Sequence, residues 1–67
     1  MKIEEKILET FKKKLGAEAK KLNLMVSLDP EAWEEDHYCE VMEKQDNGKV
    51  WEVKTTRSGK VIEIYEI

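Results

Sequence analysis

Residues 38–67, YCEVMEKQDNGKVWEVKTTRSGKVIEIYEI, decide the fold. Asp46-Asn47-Gly48 is a strong turn signal, because Asn and Gly tolerate positive φ. Arg57-Ser58-Gly59 is a second one. The segments around these turns predict strands over about 38–44, 50–55 and 61–66. Two consecutive hairpins make an antiparallel meander. The similar units Gly48-Lys49-Val50 and Gly59-Lys60-Val61 reflect repeated hairpin chemistry rather than a domain repeat.

Upstream, residues 22–28 set Leu22, Leu24, Val26 and Leu28 against Asn23, Met25 and Ser27. A period of two predicts a half-buried strand. It can join the meander at its first strand or its last, and the pattern does not choose. Asp29-Pro30-Glu31 reads as an N-cap, a proline at the first helical position and an acidic first turn. A loop or one helical turn is expected across 30–35; a longer second helix through Val41 is the alternative, although its apolar spacing is poor.

Residues 2–15 predict an amphipathic helix, with Ile3, Ile7, Leu8, Phe11 and Leu15 on one face. Glu4 and Glu5 in its first turn and Lys12, Lys13 and Lys14 in its last suit the helix dipole. Gly16 is placed to end the helix. A competing reading continues it through Ala19 to Leu22, which stay in phase.

The expected class is α+β: one N-terminal helix packed on an antiparallel β-meander of three to four strands, a single domain over residues 1–67. A chain of 67 residues buries only about 60% of the surface its unfolded form exposes, so the core is thin. A deep catalytic cleft is hard to enclose with so little material. That argues against an enzyme. Hydrophobic residues make up 40% and charged residues 40%, and the regular apolar spacing speaks for folding rather than disorder. With 12 Lys and Arg against 15 Asp and Glu, the net charge of −3 argues against a general nucleic-acid binder. A lone cysteine, Cys39, permits no internal disulfide. Met1-Lys2-Ile3-Glu4-Glu5 does not read as a signal peptide. No apolar run approaches a membrane span. A cytoplasmic location is the resulting expectation.

Alternation predicts an inner sheet face of Cys39, Val41, Trp51, Val53, Ile62 and Ile64. Leu22, Leu24, Val26 and Leu28 extend it, and the helix stripe covers it. The outer face then carries Tyr38, Met42, Val50, Val61 and Tyr65, mixed with Met25, Glu40, Glu52, Lys54 and Glu63. This is less polar than a solvated face usually is. Two readings stay open. Tyr38, Met42, Val50, Val61 and Tyr65 form an interaction surface for a protein partner or a second copy, or they are ordinary strand formers.

The stretches Tyr38-Cys39-Glu40-Val41, Gly48-Lys49-Val50-Trp51-Glu52-Val53 and Gly59-Lys60-Val61-Ile62-Glu63-Ile64 resemble a PepSY-like domain. The resemblance covers nearly the whole chain if Leu22 to Leu28 is the first strand. It implies one helix followed by strands, and a regulatory or peptidase-inhibitory role. It assigns no site residue. A weaker similarity is to the small gas-vesicle accessory protein of the O type, although the basic, Arg-rich ending of that family is missing here.

Candidate chemistry is sparse. His37 and Cys39, two apart on a strand, would share a face about 7 Å apart, with Asp36 and Glu35 beside them. A structural zinc site wants four ligands, usually Cys and His, and the chain has one of each. A Cys–His nucleophile pair lacks an identifiable orienting group. No metal or other cofactor is therefore expected. Lys12, Lys13, Lys14, Lys20 and Lys21 could meet phosphates, or simply be the solvated end of a helix. Glu31, Glu34, Glu35 and Asp36 lack the spacing of a calcium loop. What remains is a small non-catalytic binding module, acting through its outer sheet face or a sheet edge.

Overall fold

The computed structural model describes residues 2–67. Helix α1 spans Ile3–Leu15, with Glu4 and Glu5 in its first turn and three lysines in its last. Gly16 ends it at φ 89°, a conformation costly for a residue with a Cβ, and its amide reaches the Lys12 carbonyl. The chain then tightens into a 3₁₀ turn over Gly16–Lys21, which buries Ala19. The α-helix thus stops where glycine predicted. The in-phase apolar residue beyond it is held on the core by the tighter winding.

Four strands follow: β1 (Leu24–Ser27), β2 (Tyr38–Glu43), β3 (Val50–Thr55) and β4 (Val61–Glu66). They form one antiparallel sheet in the order β1-β2-β3-β4. The alternating segment therefore joins the first strand of the meander. β1 is shorter than the predicted 22–28. Leu22 and Leu28 still pack on the core from outside the paired region. The fold is α+β, with α1 against the sheet and in contact with both edge strands, β1 and β4.

Between β1 and β2 lies a second helix, α2 (Pro30–Asp36), longer than the single turn expected. Asp29 caps it by accepting the Glu31 amide at 3.1 Å. Tertiary contacts sustain the extra length. Trp33 packs on the core, and its indole Nε1 donates to the Thr55 hydroxyl at 2.9 Å. His37 closes the helix in the left-handed region at φ 60°, its amide on the Trp33 carbonyl and its ring edge-on to the indole.

Ile7, Phe11, Leu24, Cys39, Val41, Trp51, Val53 and Val61 form the buried core. Phe11 and Trp51 meet edge to face with centroids 5.3 Å apart. Such a pair adds about 0.5–1.5 kcal/mol beyond the area it buries.

One predicted pair of positions is reversed. Alternation put Ile62 in the core and Val61 outside; the structure buries Val61 and leaves Ile62 40% exposed. Lys54 pairs with Glu63, but Thr55 pairs with Val61, so Ile62 is the extra residue of a β-bulge. Two features hold the bulge. The Val61 amide donates to the Thr10 hydroxyl on α1 at 3.0 Å. Gly59, at φ 91°, lies so close to α1 that a Cβ there would stand 2.6 Å from the Ile3 side chain. The turn is pulled onto the helix, and Val61 turns inward with it.

Candidate interaction surface

The outer face of the sheet can be read row by row from the strand register. Met25 pairs with Met42, and Met42 with Val50. Ile67 continues this row, its amide on the Val50 carbonyl at 2.9 Å. Met25 is 42% exposed, while Met42 and Val50 are partly buried. The result is an apolar row that crosses the sheet from edge to edge.

The next row runs Ser27, Glu40, Glu52, Tyr65. Glu40 and Glu52 stand directly opposite each other. Their Cβ atoms are about 4.5–5.5 Å apart at such a position, and like charges there destabilise the sheet. Among the described residues, no ion pair engages either carboxylate. The third row holds Tyr38, Lys54 and Glu63. Lys54 lies over the Tyr38 ring, 5.6 Å from its centroid. The Tyr65 hydroxyl donates to Glu63. That carboxylate, as acceptor, holds the phenol above its ordinary pKa.

Where β1 passes into α2 and α2 into β2, the face opens into a cleft of about 630 Å³. Four carboxylates, Asp29, Asp36, Glu40 and Glu52, line it together with Ser27 and Tyr38. The outer face is therefore apolar at one end and acidic at the other.

Of the five residues singled out in the sequence, the register places Tyr38, Met42, Val50 and Tyr65 on this face. Val61 does not belong to it, because the bulge puts it in the core. Met25 was visible in the alternation of β1, but only the β1–β2 register shows that it completes the row. In sequence Asp29 reads as an N-cap and Asp36 as part of an acidic segment, and their place in one cleft with Glu40 and Glu52 depends on how α2 folds back.

His37 and Cys39 do not share a face. His37 precedes β2 in a left-handed conformation with its ring edge-on to Trp33, whereas Cys39 points into the core. Burial, with the charge of Glu40 as a lesser cause, pushes the thiol up to about 11. Among the described residues, no three His, Cys, Asp or Glu side chains are grouped to hold a metal ion. Lys12, Lys13 and Lys20 gather around Gly16 and Ala17, while Lys13, Lys14 and Lys60 flank Thr10 and Val61. Lys13 is paired with Glu9 at 3.5 Å. Among the described residues, no helix is long and apolar enough to cross a membrane.

Compared with known proteins, the chain matches no family, no curated protein and no solved structure.

Proposed function

We propose that this protein is a non-catalytic binding module whose working surface is the outer face of its sheet. The observation that carries this reading is the row Met25, Met42, Val50, contiguous across three strands on the face that α1 does not cover. A solvated sheet face normally alternates cleanly, and contiguous exposed apolar surface marks interaction sites. The unpaired opposition of Glu40 and Glu52 supports it further, since stability alone disfavours that arrangement.

The test is a matched capture from the host cell with wild type and a Met25→Lys/Met42→Lys variant, each verified as folded by its melting curve. Proteins retained by wild type and lost by the variant support the reading. Identical retained sets contradict it.

A second reading, regulation or inhibition of a peptidase, rests on the PepSY-like resemblance of the two C-terminal hairpins, which the structure pairs as β2-β3-β4. Under it, the partner captured through this face is a peptidase, and its rate falls when the protein is added.

A further inference from the structure

Resting on that reading, we infer that the occupant of the outer face is a basic amphipathic segment of a partner protein, its apolar side chains on the Met25–Met42–Val50 row and its lysines or arginines against Glu40, Glu52 and the acidic cleft.

Charge complementarity carries the choice of occupant. The face and its cleft present Glu40, Glu52, Glu63, Asp29 and Asp36. Lys54, the cation of the third row, is turned onto Tyr38. No described ion pair neutralises any of the five acids. Two like charges facing each other across β2 and β3 are relieved most directly by a cation set between them. A guanidinium or ammonium does this, and hydrogen-bonds both carboxylates. The cleft of about 630 Å³ beside them has room for a long basic side chain.

The same charges argue against a second copy. A two-fold contact of this face with itself would set acidic band near acidic band, a like-charge juxtaposition that interfaces avoid. The lysines grouped around Gly16 and Ala17, namely Lys12, Lys13 and Lys20, lie on the helix side. Docking them on the outer face of a neighbour would be a head-to-tail contact, which forms a ring or an open filament rather than a two-fold dimer.

The test uses a short fluorescein-labelled peptide of alternating lysine and leucine, titrated with the intact protein and followed by anisotropy. Peptides alternating glutamate with leucine, and lysine with serine, are the comparisons. Variants are Glu40→Gln/Glu52→Gln, which removes the facing charges and so should stay folded, and Met25→Ser/Met42→Ser on the exposed row.

The expected result is binding of the lysine–leucine peptide alone, weakened about tenfold by either double variant and weakened again as salt rises. If the Glu variant binds like wild type, or the glutamate–leucine peptide binds equally well, while the Met variant still weakens binding, the basic occupant is overturned and the outer-face reading stands. If the Met variant binds like wild type, the apolar row is not used and the inference is overturned; if the Glu variant does so as well, the outer-face reading falls with it. No binding of the lysine–leucine peptide, or a protein mass that climbs with concentration through this face, also overturns the basic partner.

Discussion

The hydroxyl of Thr10, midway along α1, accepts the amide of Val61 at 3.0 Å, the first residue of β4. The same hydroxyl lies 3.1 Å from the Gly59 carbonyl, one of three carbonyls within its reach as donor. A single side chain thus ties the last turn to the first helix. The bond supplies a partner for a backbone N–H at the start of β4, where the bulge interrupts regular pairing.

Removing that partner should be costly. Thr10→Val is expected to destabilise by about 1–3 kcal/mol, the cost of a buried polar group left unsatisfied. Thr10→Ser, which keeps the hydroxyl, should lose less. Urea unfolding of the two variants measures the difference. A larger loss in Thr10→Ser than in Thr10→Val would mean that the methyl group, not the hydrogen bond, holds the contact.

The bulge can be tested by a pair of neighbouring substitutions. Val61→Lys should unfold the protein or destabilise it severely, because it drives a charge into the core. Ile62→Lys should cost less than about 1 kcal/mol, because the side chain is already exposed. Regular alternation would reverse the order. Thermal melts of the two proteins decide between the registers.

Gly59 and Gly16 share a positive φ but have different surroundings. Each is at a positive φ, 91° and 89°. A Cβ at Gly16 meets nothing within 4 Å, whereas at Gly59 it would collide with Ile3. Gly16→Ala should therefore cost only the backbone penalty, about 1–3 kcal/mol for a conformation close to glycine-only. Gly59→Ala should cost clearly more, since the turn must move off α1. Comparable denaturation midpoints would show that the turn is not pressed against the helix.

Most of the fold was legible in the sequence, because each element carries a local signal. Asn47 and Gly59 marked the two hairpin turns, Asp29 and Pro30 the start of α2, and Gly16 the end of α1. The register error at Val61 has a different origin. Alternation assumes an unbroken ladder, and the bulge is imposed from a distance by Thr10 and by contact with Ile3. Strand pairing was equally non-local. Nothing near Met25 reveals that it will stand beside Met42, or that Glu40 will face Glu52. The components of the outer face were therefore readable, but their grouping into an apolar and an acidic half was not.

Cys39 gives a pH dependence with a definite sign. Its thiol is raised from 9.0 to about 11 in the fold, so the folded state prefers the protonated form. The resulting stability is complete below the unfolded value and is lost as pH climbs from about 9 to 11, because the unfolded chain ionises first. Wild type should lose more melting temperature over that window than Cys39→Ala does. Below it, iodoacetamide should label the native protein slowly and the urea-unfolded chain fast. Rapid native labelling would contradict the burial.

The facing carboxylates predict a gain. Glu40→Lys converts a like-charge pair with Glu52 into an opposite-charge pair, and should stabilise the protein by about 0.5–1 kcal/mol. If the outer face binds a basic partner, the same change should abolish that binding. A variant that is both more stable and unable to bind would show that the acidic row is kept for recognition.

The most direct measurement is an amide-resolved NMR titration of isotope-labelled protein with the lysine–leucine peptide. The expected result is a contiguous set of shifts at Met25, Glu40, Met42, Val50, Glu52 and Tyr65, with α1 undisturbed. Shifts confined to α1 and the 3₁₀ turn, or none at saturating peptide, would contradict the outer sheet face as the working surface.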